Sequence, residues 1–170
     1  MAGTSGLPGI AEEGVWDILR SIPDPEIPTI NLVDLGVIGW IEVGEKIRVA
    51  MLPTFVGCPA LDMMQREIRA GLEPYGEVEV TVSFAEAWTS ARITAAGREM
   101  LKEAGLAPPP EGDGFAADGL DELPMHSPPA ACPRCGGFDT RQESLFGPTP
   151  CRALHYCSSC REPFERFKAL

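Results

Sequence analysis

Histidine is nearly missing from this chain: its 170 residues include two, His126 and His155. A catalytic metal site built from several imidazoles is therefore excluded. A cysteine hydrolase that pairs its nucleophile with a histidine base is disfavoured, because neither histidine lies near Cys58 in sequence. Basic residues are also scarce, with 14 Lys and Arg against 25 Asp and Glu and a formal net charge of −11. The imbalance lies in residues 1–131, where 8 basic side chains meet 21 acidic ones; residues 132–170 carry 6 against 4. A body of that sign repels phosphate backbones, so no nucleic-acid partner is expected. No uncharged apolar run approaches the roughly 18–20 residues of a membrane span. The opening MAGTSGLPGIAEEG is acidic and lacks the basic start of a signal or transit peptide. Phosphate-cradling glycine loops, dinucleotide fingerprints and Ser/His/Asp sets are absent as well. The expectation is a cytoplasmic protein with no membrane association. Its six cysteines then stay reduced and serve metal or thiol chemistry rather than disulfides.

What is present divides into three stretches. Ile10 to Ser21 reads as a short helix that buries Trp16 and Leu19 and is stopped by Pro23. The segment DPEIP, Asp24 to Pro28, holds two prolines and two carboxylates and is a loop. Leu35 to Val43 and Lys46 to Leu52 read as strands joined by a tight turn at Gly44-Glu45. From Pro59 to Leu72 the period becomes helical, with Leu61, Met64, Ile68 and Leu72 on one stripe and Cys58 at the expected N-cap. Glu77 to Phe84 alternates, with Val78, Val80, Val82 and Phe84 expected inward. A last helix runs from about Ala91 to Ala104. The order α-β-β-α-β-α predicts a small α+β domain, helices on a three-stranded sheet, over residues 1–106. Residues 107–131 are rich in proline, glycine and acid and read as a linker. Residues 132–170 form a separate small unit.

That unit carries the strongest motif. Cys132-Pro-Arg-Cys135 and Cys157-Ser-Ser-Cys160 are two C-x2-C turns, a spacing that brings four thiolates around one ion. Tetrahedral sulfur ligation favours zinc, with iron second. A segment this short cannot fold on an apolar core alone, so a structural zinc would supply much of its folding free energy. Four occupied ligands leave no open position, which points to scaffolding and not catalysis. Cys151 and His155 stand just before the second knuckle, where either could replace a ligand or form a second site; since the four-cysteine set is complete without them, the preferred reading is a packed small residue and a strand residue. His126 falls in the linker.

In the main domain, Cys58 occupies a loop before a helix. There the helix dipole and free amides are expected to lower its pKa and make it a nucleophile or a transient metal ligand. A buried, inert cysteine is the equal alternative. Asp24 and Glu26 read from composition as a solvated turn, and Trp88 as core.

DPEIP (24–28), LGVI (35–38), PTFVGCPA (53–60) and AWTS…GREMLKEAGLAPP (87–109) resemble the iron–sulfur assembly domain family. With the C-terminal run from CPRCGGFDT to REPFERFK, nearly the whole chain resembles the PaaD family, a small component of the bacterial phenylacetyl-CoA epoxidase system. The resemblance implies a non-enzymatic accessory subunit of a multicomponent monooxygenase, serving the maturation of its iron or iron–sulfur centres. An adaptor or a general iron–sulfur carrier is the alternative. Oxygenase and reductase subunits are the implied partners. Cys58 matches the family's GCPA cysteine, and Asp24 and Glu26 its acidic loop, so a transient iron or cluster site on these three is implied. One thiolate cannot hold a cluster alone, so a homodimer or a partner is expected to supply the rest. The chain departs from related sequences at Phe55-Val56, where they carry hydroxyls, and at Ser90-Ala91-Arg92 after the Trp-Thr pair.

Overall fold

The computed structural model describes residues 9–55, 57–110 and 129–169. The first domain is built as its periodicity predicts. Helix α1 (Glu12–Arg20) is followed by an antiparallel hairpin of β1 (Ile38–Val43) and β2 (Ile47–Met51). Helix α2 (Leu61–Leu72) crosses over to β3 (Val78–Val82), which pairs parallel to β2. The sheet order is thus β1-β2-β3. A single-turn 3₁₀ helix at Ser90–Arg92 leads into α3 (Ala95–Glu103), capped by the Thr94 hydroxyl accepting from the Gly97 amide. Each helix buries one stripe: Val15 and Leu19 of α1, Met64, Ile68 and Leu72 of α2, and Leu101 of α3. Trp16 is only partly buried, and Val15 takes the place expected for it. Trp88 is core, its indole N–H donating to the Leu35 carbonyl at 3.2 Å. The chain turns into β1 through Gly36 at φ +76°, where a Cβ would collide with the Arg92 backbone.

Two expectations fail locally. Phe84 lies beyond the end of β3 and is exposed, since pairing with β2 stops at Val82. The N-cap of α2 is Ala60. Cys58 sits two residues earlier, in a turn whose carbonyl accepts from the Leu61 amide.

The C-terminal unit is a second sheet, of order β4-β7-β6-β5. Strands β5 (Thr140–Ser144), β6 (Arg152–Cys157) and β7 (Glu162–Phe167) form an antiparallel meander, with the second cysteine knuckle at the β6–β7 turn. Its fourth strand comes from the other end of the chain's body. β4 (Leu106–Ala107), directly after α3, pairs parallel to β7, Leu106 opposite Glu165 and Ala107 opposite Arg166. Ala107, expected to begin the linker, is buried in that sheet. Of the linker, residues 111–128, including His126, lie outside the described residues.

The ribbon is seated on the first domain rather than standing apart from it. Phe167, at the end of β7, is 1% exposed and belongs to the first domain's core, with its ring 5.7 Å from Trp88. The Arg152 guanidinium donates to Glu165 at 2.8 Å and to Glu26 of the first domain's acidic loop at 3.2 Å. A packed aromatic anchor and a bridging guanidinium therefore join the two sheets. Truncating the anchor leaves a cavity shared by both. Phe167→Ala should destabilise the zinc-loaded full chain by about 3–5 kcal/mol, checked by urea denaturation. A cost below about 1 kcal/mol would mean the seat contributes little.

Candidate metal sites

The first site is the knuckle cluster. The ligand atoms of Cys132, Cys135, Cys157 and Cys160 all lie within 4.8 Å of one another. Two sulfur pairs stand at 3.7 Å (Cys132 with Cys160) and 3.6 Å (Cys135 with Cys157). Zinc–sulfur bonds of about 2.3 Å in a tetrahedron place their sulfurs about 3.8 Å apart, so the cluster fits such an ion. The first knuckle is shaped by backbone. The Gly136 amide donates to the Cys132 carbonyl at 2.8 Å, with Gly136 at φ +72°, and the Cys132 amide donates to the Gly137 carbonyl at 2.9 Å. The thiols are electrostatically unequal. The Cys160 amide, aimed at its sulfur, brings Cys157 down to about 7, while burial and the neighbouring thiols push Cys160 up to about 12. His155 faces the same side of β6 as Cys157, 2% exposed, stacked on Phe164 and not a member of the cluster. Burial and the Arg166 charge hold its pKa down to about 4.

The second site lies where the two sheets meet. Asp24, Glu26, Cys58 and Cys151 line one cavity of about 20 Å³, otherwise walled by apolar side chains such as Val37, Leu52, Met64 and Phe167. Asp24 is not a solvated turn residue: it is 4% exposed. Its Oδ1 accepts from the amides of Glu26 at 2.9 Å and Ile27 at 2.8 Å, and its own amide donates to the Ile30 carbonyl. The DPEIP loop is thus folded around a buried carboxylate. Glu26 reaches outward to Arg152. Burial raises the Asp24 pKa despite the two amides.

Cys58 departs from the electrostatic expectation. Its thiol pKa is raised. Burial is the main cause, and Cys151, Asp24 and Glu26 add to it, while the Ala60 amide opposes it. The helix end stabilises a thiolate less than the apolar wall and the surrounding acids disfavour it. The family resemblance implied Cys58, Asp24 and Glu26 as one set, and all three line this cavity. Cys151, read from the sequence first as a packed small residue beside the knuckle, lines the same cavity. That residue precedes β6, its sulfur lies 3.1 Å from the Thr149 hydroxyl, and it packs against the first domain's core. No local signal reveals this, because the contact is made across the seam between the two sheets.

The buried carboxylate sets a pH dependence. Below the unfolded Asp pKa of about 3.9, both states are protonated and Asp24 costs nothing. As pH rises past that value the unfolded chain ionises first, the native state keeps its proton, and stability falls until the raised native pKa is passed. Asp24→Asn retains the Oδ1 acceptor without the titration. Its stability advantage over the parent should therefore grow from about pH 3.5 upward and level off, as measured by urea denaturation in about half-unit steps. A constant difference would show that Asp24 does not titrate as its burial requires.

Known proteins resemble both halves. Residues 12–84 match the family model described as iron–sulfur cluster assembly protein, and residues 117–168 that of the PaaD zinc beta ribbon domain. A curated protein of Escherichia coli (strain K12), a subunit named under "Putative 1,2-phenylacetyl-CoA epoxidase", is 38% identical over 160 residues, covering 92% of each chain. A "Fe-S protein maturation auxiliary factor" of Porphyromonas gingivalis is 34% identical over 82 residues, 45% of this chain and 77% of that one. Among solved structures, a conserved hypothetical protein of Thermotoga maritima is 25% identical with a TM-score of 0.47, covering 54% of this chain and 93% of the other. Among the described residues no helix is long and apolar enough to cross a membrane.

Proposed function

The chain belongs to the PaaD family of 1,2-phenylacetyl-CoA epoxidase subunits, and we propose that it works there as a non-catalytic maturation factor that carries iron to the epoxidase complex. The observation that carries this reading is the convergence of Cys58, Asp24 and Glu26 on a single cavity of the iron–sulfur assembly-like domain. Asp24 is buried in that mostly apolar wall with the Cys58 thiol, and Glu26 lines it while pairing with Arg152 at its edge. Burying Asp24 there costs free energy that a bound cation would return.

Iron is cargo in this reading, so the site has to release it. A raised Cys58 pKa serves that end, because the metal must displace a proton to bind and holds less tightly as a result. The ribbon contributes structure. Cys132, Cys135, Cys157 and Cys160 hold one zinc, which orders the β6–β7 hairpin that bears Phe167 and Arg152. The oxygenase and reductase subunits are the proposed clients. The general arrangement of an accessory protein fits relatives named as an epoxidase subunit and as a maturation factor.

Reconstitution separates this reading from a purely structural adaptor. Cys58→Ser should retain one zinc per chain and still bind the complex, yet lower the iron content and activity of freshly assembled epoxidase by about tenfold or more. Epoxidase that acquires full iron and activity with the Cys58→Ser protein would leave the adaptor role standing and remove the carrier role.

A further inference from the structure

The cavity at the seam is lined by one thiol that the assembly-domain reading does not use. We infer that Cys151 of the ribbon is the second thiolate of the cargo site, so that Cys58, Cys151 and the Asp24 carboxylate together bind a single divalent transition-metal ion within one chain. The inference rests on the carrier role given to Cys58 above and adds to it the ligand, the nuclearity and the part played by the ribbon.

Three observations converge. First, Cys58 and Cys151 lie in loops of different domains, 93 positions apart in the chain, and both line the same cavity. Both are partly buried and pack against the first domain's core. Second, the cavity is about 20 Å³, and a space of roughly 10–15 Å³ is needed to admit one water molecule. It accommodates one ion and excludes a cluster of several irons and sulfides while the ribbon is seated. Third, the cations nearby are already engaged. Arg152 is held by Glu26 and Glu165, and the Lys168 ammonium donates to the Pro150 carbonyl at 2.7 Å. Asp24 Oδ1 is occupied by two amides. Two thiols and a carboxylate in an apolar wall form a borderline-soft donor set suited to ferrous iron, cobalt or zinc rather than to magnesium or calcium.

The site differs from the ribbon cluster in its state of assembly. Among the described residues, the four ribbon cysteines are the only group of three or more such side chains with all ligand atoms within 4.8 Å. The seam donors close on the ion by side-chain rotation, and two thiol protons pass to solvent as the two metal–sulfur bonds form. Because one sulfur belongs to the ribbon, lifting the ribbon from its seat removes a ligand and opens the cavity. A second copy of the chain is then not needed to complete the coordination.

Cobalt(II) reports the number of bound thiolates through its sulfur-to-metal charge-transfer absorption. The full chain, with zinc confirmed at one per chain in the ribbon, is titrated with Co²⁺ under anaerobic conditions beside Cys58→Ser and Cys151→Ser. The parent should take up one further equivalent with the absorption of two thiolates. Each variant should keep its ribbon zinc, lose about half of that absorption and bind about tenfold more weakly or worse. Alkylation mapped by mass spectrometry should show Cys58 and Cys151 protected together by the metal. A Cys151→Ser protein that binds cobalt like the parent, while Cys58→Ser does not, would overturn the role of Cys151 and leave the carrier reading intact. Parent-like binding by both variants would overturn the two together. Uptake of iron with stoichiometric sulfide by the docked parent would overturn the single-ion assignment.

Discussion

The ribbon is too small to hold itself together. Its buried cluster comprises Ala107, Ala130, Cys132, Cys157 and Phe164, two of them zinc-ligand positions and one lent by the strand that follows α3. A sheet so poor in apolar area needs support from outside. A metal held by the four cysteines would provide it at one end, and the first domain provides it at the other through Phe167, β4 and the Arg152 bridge. The arrangement of the seam follows from this dependence. β7 must run alongside β4 to seat Phe167, and that places the start of β6, with Cys151 just before it, against the DPEIP and GCPA loops.

A second consequence concerns charge. A cysteine before a helix is commonly read as an activated thiolate, on the strength of the helix dipole and its free amides. Here the dipole competes with removal from water and with nearby acids, and it loses. The position of Ala60 as N-cap explains part of the outcome, since Cys58 lies two residues outside that cap. The seated ribbon explains the rest, because Phe167 and Cys151 close the wall that desolvates the thiol. A thiol that is hard to ionise is a poor nucleophile. It is better suited to meeting a cation that brings its own positive charge.

The parts of the molecule that depend on neighbours in sequence were legible there. Apolar period revealed α1, α2 and the three strands of the first sheet, and the paired C-x2-C turns revealed the ribbon, because both signals are local. Strand ends were less clear: Phe84 continues the alternation of β3 but has no partner residue on β2. The seam was not legible. Leu106–Ala107 is too short to show a period, and Phe167 looks like any strand aromatic. Asp24 looks like a turn acid until its burial is known. Cys151 is the sharpest case, for its meaning depends on a residue 93 positions away.

The two sulfur sites of this chain stand at opposite ends of one thermodynamic scale. In the ribbon, four sulfurs stand at tetrahedral spacing in knuckles shaped by backbone amides, and folding of the hairpin would be coupled to metal binding there. At the seam the donors are fewer, disfavoured as anions by burial and split between the two domains. Binding there must displace protons and keep the ribbon seated, and each requirement subtracts from affinity. The first arrangement suits an ion that stays, the second an ion that leaves. On the proposed reading a permanent metal would also govern the transient one, because the β6–β7 hairpin bears Phe167 and Arg152, the anchors that seat the ribbon and with it Cys151.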